Sequence, residues 1–182
     1  MSNSQSGYLL GIGSNIDPYD NIQEIISSLL DYYPQLSLSR VLSIPPIGMN
    51  STRDFLNVAI FIETDDKTDK LKQICNAIEI KLGRNRNDPN RKTKDRPADL
   101  DILTDIKFPD DAQRAAHTIT DEYFLYPLLD ELIAYLNQVP FNLKQAGVEI
   151  SLDNLTFGQT ATTINRDAGT SDKRVIEQAL NR

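Results

Sequence analysis

The side chains best suited to chemistry lie in Asp99-Leu100-Asp101-Ile102. Read as a strand, this segment turns Asp99 and Asp101 to one face and Ala98, Leu100 and Ile102 to the other. The two acidic Cα atoms then stand roughly 6.6 Å apart. Carboxylates that close repel each other unless a cation sits between them, and hard oxygen donors shared with phosphate oxygens are what Mg²⁺ prefers. Immediately upstream, between Gly83 and Pro97, come Arg84, Arg86, Arg91, Lys92, Lys94 and Arg96 against only Asp88 and Asp95. Arginine forks suit bidentate phosphate contacts. Taken singly, the acids fit a solvated strand face and the bases a solvated loop. Joined, they offer cations for phosphate beside acids for the metal that phosphate shares, which points to phosphoryl-group chemistry.

A second constellation lies in residues 44–57. Phe55 and Asn57 fall on one face of a strand together with Ala59 and Phe61, while Leu56, Val58, Ile60 and Ile62 take the other. An aromatic ring beside a carboxamide can stack on and hydrogen-bond a flat heterocycle. The plainer alternative buries Phe55 and leaves Asn57 at a strand edge. Neither nucleotide-binding glycine fingerprint is present, since Gly11-Ile12-Gly13 runs on to Asp17 without a third glycine. A P-loop or Rossmann site is therefore not expected.

Positioning these groups takes six elements. Residues 8–12 form a short apolar strand closed by Gly13-Ser14-Asn15, and Asp17-Pro18 suits an N-cap followed by proline in the first turn. Ile22, Ile25, Ile26, Leu29 and Leu30 repeat with the spacing of an amphipathic helix ending before Pro34. Residues 36–43 alternate as a strand, residues 55–62 are a nearly all-apolar central strand, and Leu71, Ile74, Cys75, Ile78 and Leu82 mark a second helix with Gly83 at its C′ position. Residues 98–102 are the last strand. The order β-α-β-β-α-β predicts an α+β, ferredoxin-like sandwich: an antiparallel sheet with both helices on one face. Residues 126–136 read as a further helix. The domain is expected over 7–158. Residues 159–182 follow as a C-terminal extension, with a polar linker at 159–172 and a terminal helix at 175–180.

Composition narrows the class. The 182 residues carry 19 Lys and Arg against 26 Asp and Glu, a net charge of −7, and such a field repels nucleic acid and anionic membranes. Any phosphate chemistry must then use a local basic cluster. A single cysteine excludes an internal disulfide, and a single histidine excludes His-rich metal sites. The N-terminal residues lack a charged and apolar leader, and no stretch approaches the roughly 18 apolar residues of a membrane span. A cytoplasmic protein acting on small molecules, as a monomer or weak homo-oligomer, is expected.

The chain resembles the 6-hydroxymethyl-7,8-dihydropterin pyrophosphokinase family of the folate pathway. The matching pieces are Gly13-Ser14-Asn15, Pro45-Pro46-Ile47-Gly48, Asp54-Phe55-Leu56-Asn57, Glu79, Gly83-Arg84-Asn85-Arg86, Arg96-Pro97-Ala98-Asp99-Leu100-Asp101-Ile102 and Pro127-Leu128, co-linear over roughly 8–137. The resemblance implies transfer of pyrophosphate from ATP to the pterin hydroxymethyl group with release of AMP. It implies that Asp99 and Asp101 hold two Mg²⁺ ions and that Arg84 and Arg96 stabilise the transferring group. Glu79, Arg86, Ile102 and His117, with the same two arginines, would meet ATP. Ile44, Pro45, Ile47, Phe55, Asn57 and Tyr123 would meet the pterin. The chain departs from the pattern at Asp121, where arginine is expected, and at Tyr123, where the family has phenylalanine. The alternative reading is a non-catalytic paralogue that binds pterin or nucleotide.

Overall fold

Strand β4 (Phe55–Glu63) is buried along almost its whole length, as its near-continuous apolar run requires of a strand covered on both faces. It pairs antiparallel with β1 (Gln5–Ser14), which pairs in turn with β5 (Asp99–Phe108). On its other side β4 pairs with β2 (Gln35–Leu38) and β3 (Leu42–Ile44), so the strand expected at 36–43 is broken in two. A computed structural model describes residues 4–166 and the backbone of 175–178. Within them the sheet runs β5-β1-β4-β2, then β8 (Thr162–Asn165) and β9 (Val175–Gln178), all antiparallel. A small hairpin, β6 (Ile150–Leu152) and β7 (Leu155–Phe157), stands apart.

One face of the sheet carries α1 (Pro18–Tyr32) and α2 (Thr68–Lys81). The stripe Ile22, Ile25, Ile26, Leu29 and Leu30 is sealed against Leu10, Ile12, Val58, Ile60 and Leu100. Asp17 does precede α1, but at φ 40° its side chain makes no capping bond. The opposite face is not bare. Leu9, Ala59 and Phe61 present an apolar surface there, and α3 (Tyr126–Leu136) covers it with Leu128, Leu129, Leu132 and Ile133. The arrangement is therefore an α+β fold: the two helices of the β-α-β-β-α-β unit share one face of an antiparallel sheet, and the further helix α3 covers the other.

Strand β5 changes face partway along. The register jumps from Leu10↔Ile102 to Leu9↔Thr104, leaving Leu103 as an extra residue. Such a bulge flips every later side chain to the other face. Leu100 and Ile102 accordingly pack under α1 and α2, whereas Ile106 and Phe108 join the core beneath α3. The acidic end of β5 stays upstream of the bulge, facing the side that α3 only partly covers.

The C-terminal segment also differs from expectation. Within the linker expected at 159–172, β8 pairs with β2 and Ile164 is fully buried, while residues 167–172 lie outside the described residues. Residues 175–178 form strand β9 rather than a terminal helix, and 179–182 lie outside the described residues. A helix of six residues is too short to hold by itself, whereas β8 offers a free edge of N–H and C=O groups. No helix among the described residues is long and apolar enough to cross a membrane.

One buried ion pair pins α3 to the sheet. Glu131 accepts from the backbone N–H and Nε of Arg40, both at 2.6 Å, and the Arg40 Nη1 donates to the carbonyls of Leu143 at 3.1 Å and Gln145 at 2.5 Å. Removing one partner of such a pair strands the other charge. Glu131→Ala is expected to lower unfolding stability by about 3–5 kcal/mol in urea denaturation, and a loss below about 1 kcal/mol would show that the pair does not pin the helix.

Candidate functional site

The floor of the site is two glycines. On β1, Gly11 and Gly13 point to the α3 face, with Asp101 and Asp99 beside them on β5 and Ala59 and Asn57 beside them on β4. A methyl group at Gly11 would lie 2.8 Å from Leu125 Cδ1, and one at Gly13 would lie 2.9 Å from Asn57 Oδ1. Keeping both positions bare opens a cleft of about 300 Å³ across three strands. Acids line one flank, from β5. Phe55 and Asn57 line the other, with Ile44 paired opposite Phe55 and with Pro45 and Ile47 beyond it.

The acidic flank is held by a relay of charges. Glu79, in the last turn of α2, is fully buried. Its Oε1 accepts from Arg84 Nη1 at 2.8 Å and from the Leu100 N–H at 2.8 Å, and its Oε2 accepts from Arg86 Nε at 2.6 Å. Arg84 reaches on to Asp99 Oδ1 at 2.5 Å, while Arg96 takes Asp99 Oδ2 at 2.7 Å. Burial alone would weaken the Arg84 proton, yet Asp99 and Glu79 hold the guanidinium above its usual range. Asp101 has no such partner among the described residues. Burial first, then the charges of Asp99, Glu122 and Glu79, push its carboxyl up to about 6, with Arg84 opposing.

The basic loop is fastened at its downstream end by Asn15, only 2% exposed. Its Oδ1 accepts from the Arg96 N–H at 2.7 Å, its Nδ2 donates to Asp95 Oδ1 at 2.8 Å, and its own N–H donates to the Arg96 carbonyl at 3.1 Å. Gly13-Ser14-Asn15 thus joins the end of β1 to the entrance of β5. Arg96 in turn lies 5.8 Å from the centre of the Phe55 ring, so it touches both flanks.

The chemistry of this donor set fits a divalent cation shared with a polyphosphate. Asp101 is an acid held at high energy by its neighbours, a condition a cation relieves. Among the described residues no cluster of three or more His, Cys, Asp or Glu side chains could hold a metal by itself. Two carboxylates with ligand oxygens and water are the usual Mg²⁺ arrangement. The Nε–H groups of Arg84 and Arg96 are buried with no partner among the described residues. Each such donor costs about 1–3 kcal/mol until an acceptor arrives, and an oxyanion supplies one.

Of the residues singled out from sequence, Ile44, Pro45, Ile47, Phe55, Asn57, Arg96, Asp99 and Asp101 line the cleft, and Arg84 meets it through Asp99. Others stand elsewhere. Glu79 is sealed behind the arginines, and Arg86 is held back there by it. Ile102 faces away, packed against the core under α1 and α2. His117 is exposed on a short turn at Ala116–Thr118. Tyr123 is 62% exposed and outside the cleft; Phe124, one residue on, lines it instead. The cause is local, because Tyr123–Leu125 winds as a single tight turn whose buried residue is Leu125, and that turns Phe124 inward beside it. Sequence reading missed Gly11, Met49 and Glu122, whereas Lys92 of the basic loop and Gly13 of Gly13-Ser14-Asn15 were named there without a place in the cleft. For the glycines the signal was present, since Gly-x-Gly in a strand bares one face.

A family profile described as 7,8-dihydro-6-hydroxymethylpterin-pyrophosphokinase matches residues 9–132. A Porphyromonas gingivalis protein named 2-amino-4-hydroxy-6-hydroxymethyldihydropteridine pyrophosphokinase is 31% identical over 102 residues, covering 55% of this chain and 69% of that protein. A Bacillus subtilis protein of the same name is 32% identical over 97 residues, covering 52% of this chain and 56% of that one.

The Asp101 environment has a measurable consequence. Protons compete with a cation for its carboxylate, so Mg²⁺ affinity by titration calorimetry should rise about tenfold per pH unit as pH approaches 6 and level off above it. Without metal the sign of the stability effect reverses. Folding favours the protonated acid, so its contribution is complete below 3.8 and is lost as pH rises through about 6. Asp101→Asn should flatten both profiles, and a wild-type affinity independent of pH around 6 would refute the assignment.

Proposed function

Because the chain belongs to the 7,8-dihydro-6-hydroxymethylpterin-pyrophosphokinase family and is a diphosphokinase, we propose that it transfers the β,γ-pyrophosphoryl group of ATP to the hydroxymethyl oxygen of 6-hydroxymethyl-7,8-dihydropterin. The observation that carries this reading is one cleft with paired acids and arginines on one flank and an aromatic–carboxamide pair on the other. The strand order β5-β1-β4-β2, with α1 and α2 together on one face, supports a ferredoxin-like core beneath it.

In this reading Phe55 and Phe124 take the two faces of the pterin, Asn57 bonds its edge, and the backbone around Ile44 and Ile47 meets its amide side. The substrate oxygen is thereby held toward the acidic flank, which converts an encounter into an aligned attack. That oxygen bonds to the β-phosphorus, the bridge to the α-phosphorus breaks, AMP leaves with the bridging oxygen, and the hydroxyl proton passes to solvent. Asp99 and Asp101 would hold two Mg²⁺ ions, whose chemistry when bound would be to neutralise phosphate charge. Arg84 and Arg96 turn their unpartnered Nε–H groups to the transferring phosphates, where charge grows.

The reaction is tested by incubating the protein with ATP, Mg²⁺ and the pterin, then resolving AMP from ADP by chromatography. Pterin-dependent AMP is expected; no AMP with pterin binding intact would favour the non-catalytic alternative, for which Glu122 in the cleft lining supplies negative charge facing Asp99. Asp99→Asn and Asp101→Asn should each lower kcat at least about a hundredfold. Asp101→Asn should also leave the metal-free protein as stable as wild type or more so, because it removes a like charge. Near wild-type turnover in either variant would overturn the metal assignment.

A further inference from the structure

Among the described residues that line the cleft, Lys92 and Arg96 are the cations, against the three carboxylates Asp99, Asp101 and Glu122. Arg96 is already bonded to Asp99, as is Arg84 behind it. Before any metal arrives, a polyphosphate entering here therefore meets a surplus of like charge. Asp99 and Asp101 share β5, where one cation can meet both. Glu122 comes from another element, at the residue before the turn Tyr123–Leu125. Its N–H donates to Thr120 Oγ1 at 3.2 Å, and its carbonyl accepts from the Leu125 N–H at 2.9 Å. The backbone is thus fixed on both sides, while the carboxylate makes no bond among the described residues. That carboxylate faces Asp99, which repels it, and Arg96, which attracts it less. Among the described residues the three acids form no cluster able to hold a metal together. Glu122 therefore acts on an entering ligand through its field, not as a ligand atom of the metal.

We propose that Glu122 is a specificity-determining residue of this site, whose carboxylate turns away a polyphosphate carrying no divalent cation and admits one whose charge cations have neutralised. The proposal rests on the reading of the cleft as a nucleoside triphosphate site. Like charges a few ångströms apart in a protein cleft repel far more than in bulk water, so one fixed acid discriminates strongly between a bare triphosphate and its metal complex. Lys92 and Arg96 supply no such choice, because they attract both forms and the bare one more. The metal complex feels Glu122 only slightly, since cation and phosphate charges largely cancel.

The test measures binding of α,β-methylene-ATP, an analogue whose scissile bridge cannot break, by titration calorimetry on the full chain, once with Mg²⁺ and once with EDTA in its place. Glu122→Gln keeps the shape of the side chain and removes its charge. It should tighten metal-free binding at least about fivefold and leave binding with Mg²⁺ within about twofold. The neutral pterin should bind variant and wild type alike, which checks that the cleft is intact. Asp121→Asn, which removes an equal charge one residue away and outside the cleft lining, should change neither analogue affinity by more than about twofold. Raised salt should narrow the metal-free difference between Glu122→Gln and wild type, because ions screen the repulsion. Metal-free affinity in Glu122→Gln equal to wild type, or tightening of the same size with and without Mg²⁺, would overturn the proposal. Wild type that binds pterin but not the analogue with Mg²⁺ would instead overturn the triphosphate reading, and the proposal with it.

Discussion

A carboxylate sealed from water must be met by cations and N–H donors or the fold cannot keep it. Glu79 is that group, fully buried at the end of α2, and the acidic flank is organised around meeting its needs. It draws Arg84 and Arg86 back from the loop and accepts the Leu100 N–H of β5. Helix, loop and strand are thereby tied at one point. Arg84 has further donors and passes the constraint outward to Asp99, which also collects Arg96. What reaches the cleft is the outer end of this relay: two arginines oriented by acids, each with one buried N–H that no described residue meets.

The cleft itself is a consequence of sheet geometry. A strand face is continuous unless something is missing from it, and here Gly11 and Gly13 remove two adjacent side chains from the middle of three strands. Register then places Asp99 and Asp101 on one side of the gap and Asn57 and Ala59 on the other. The bulge at Leu103 lets the same strand that bears the acids continue as core beneath α3. Chemistry and packing share β5 because one inserted residue separates them. The flank is poised rather than relaxed, since Asp99 is paired and Asp101, among the described residues, is not. Proteins accept such unfavourable arrangements where a ligand will resolve them.

Much of this was legible in the order of residues. The stripes that form α1, α2 and α3, the apolar run of β4, and the one-face placement of Asp99 with Asp101 and of Phe55 with Asn57 are local consequences of a period of 3.6 or 2. Those patterns hold wherever the element docks, which is why they could be read early. The motif around Arg96 and Asp99 was equally plain because its residues are contiguous.

Other features depended on partners distant in the chain. Glu79 looked like a ligand-facing acid, and only the packing of α2 on β5 showed that its charge is satisfied inside. Tyr123 and Phe124 are adjacent aromatics, and a tight turn, invisible to periodicity, decides which one enters the cleft. Residues 175–180 had the composition of a short helix, but the open edge of β8 offered hydrogen bonds that a helix of that length could not match. The sequence by itself therefore determined the elements, the faces they present and the acids and bases available for chemistry, because these follow from contacts a few residues apart. Tertiary structure alone decided which charges neutralise one another and which remain free for a ligand, because that depends on groups brought together from α2, the basic loop, β1 and β5.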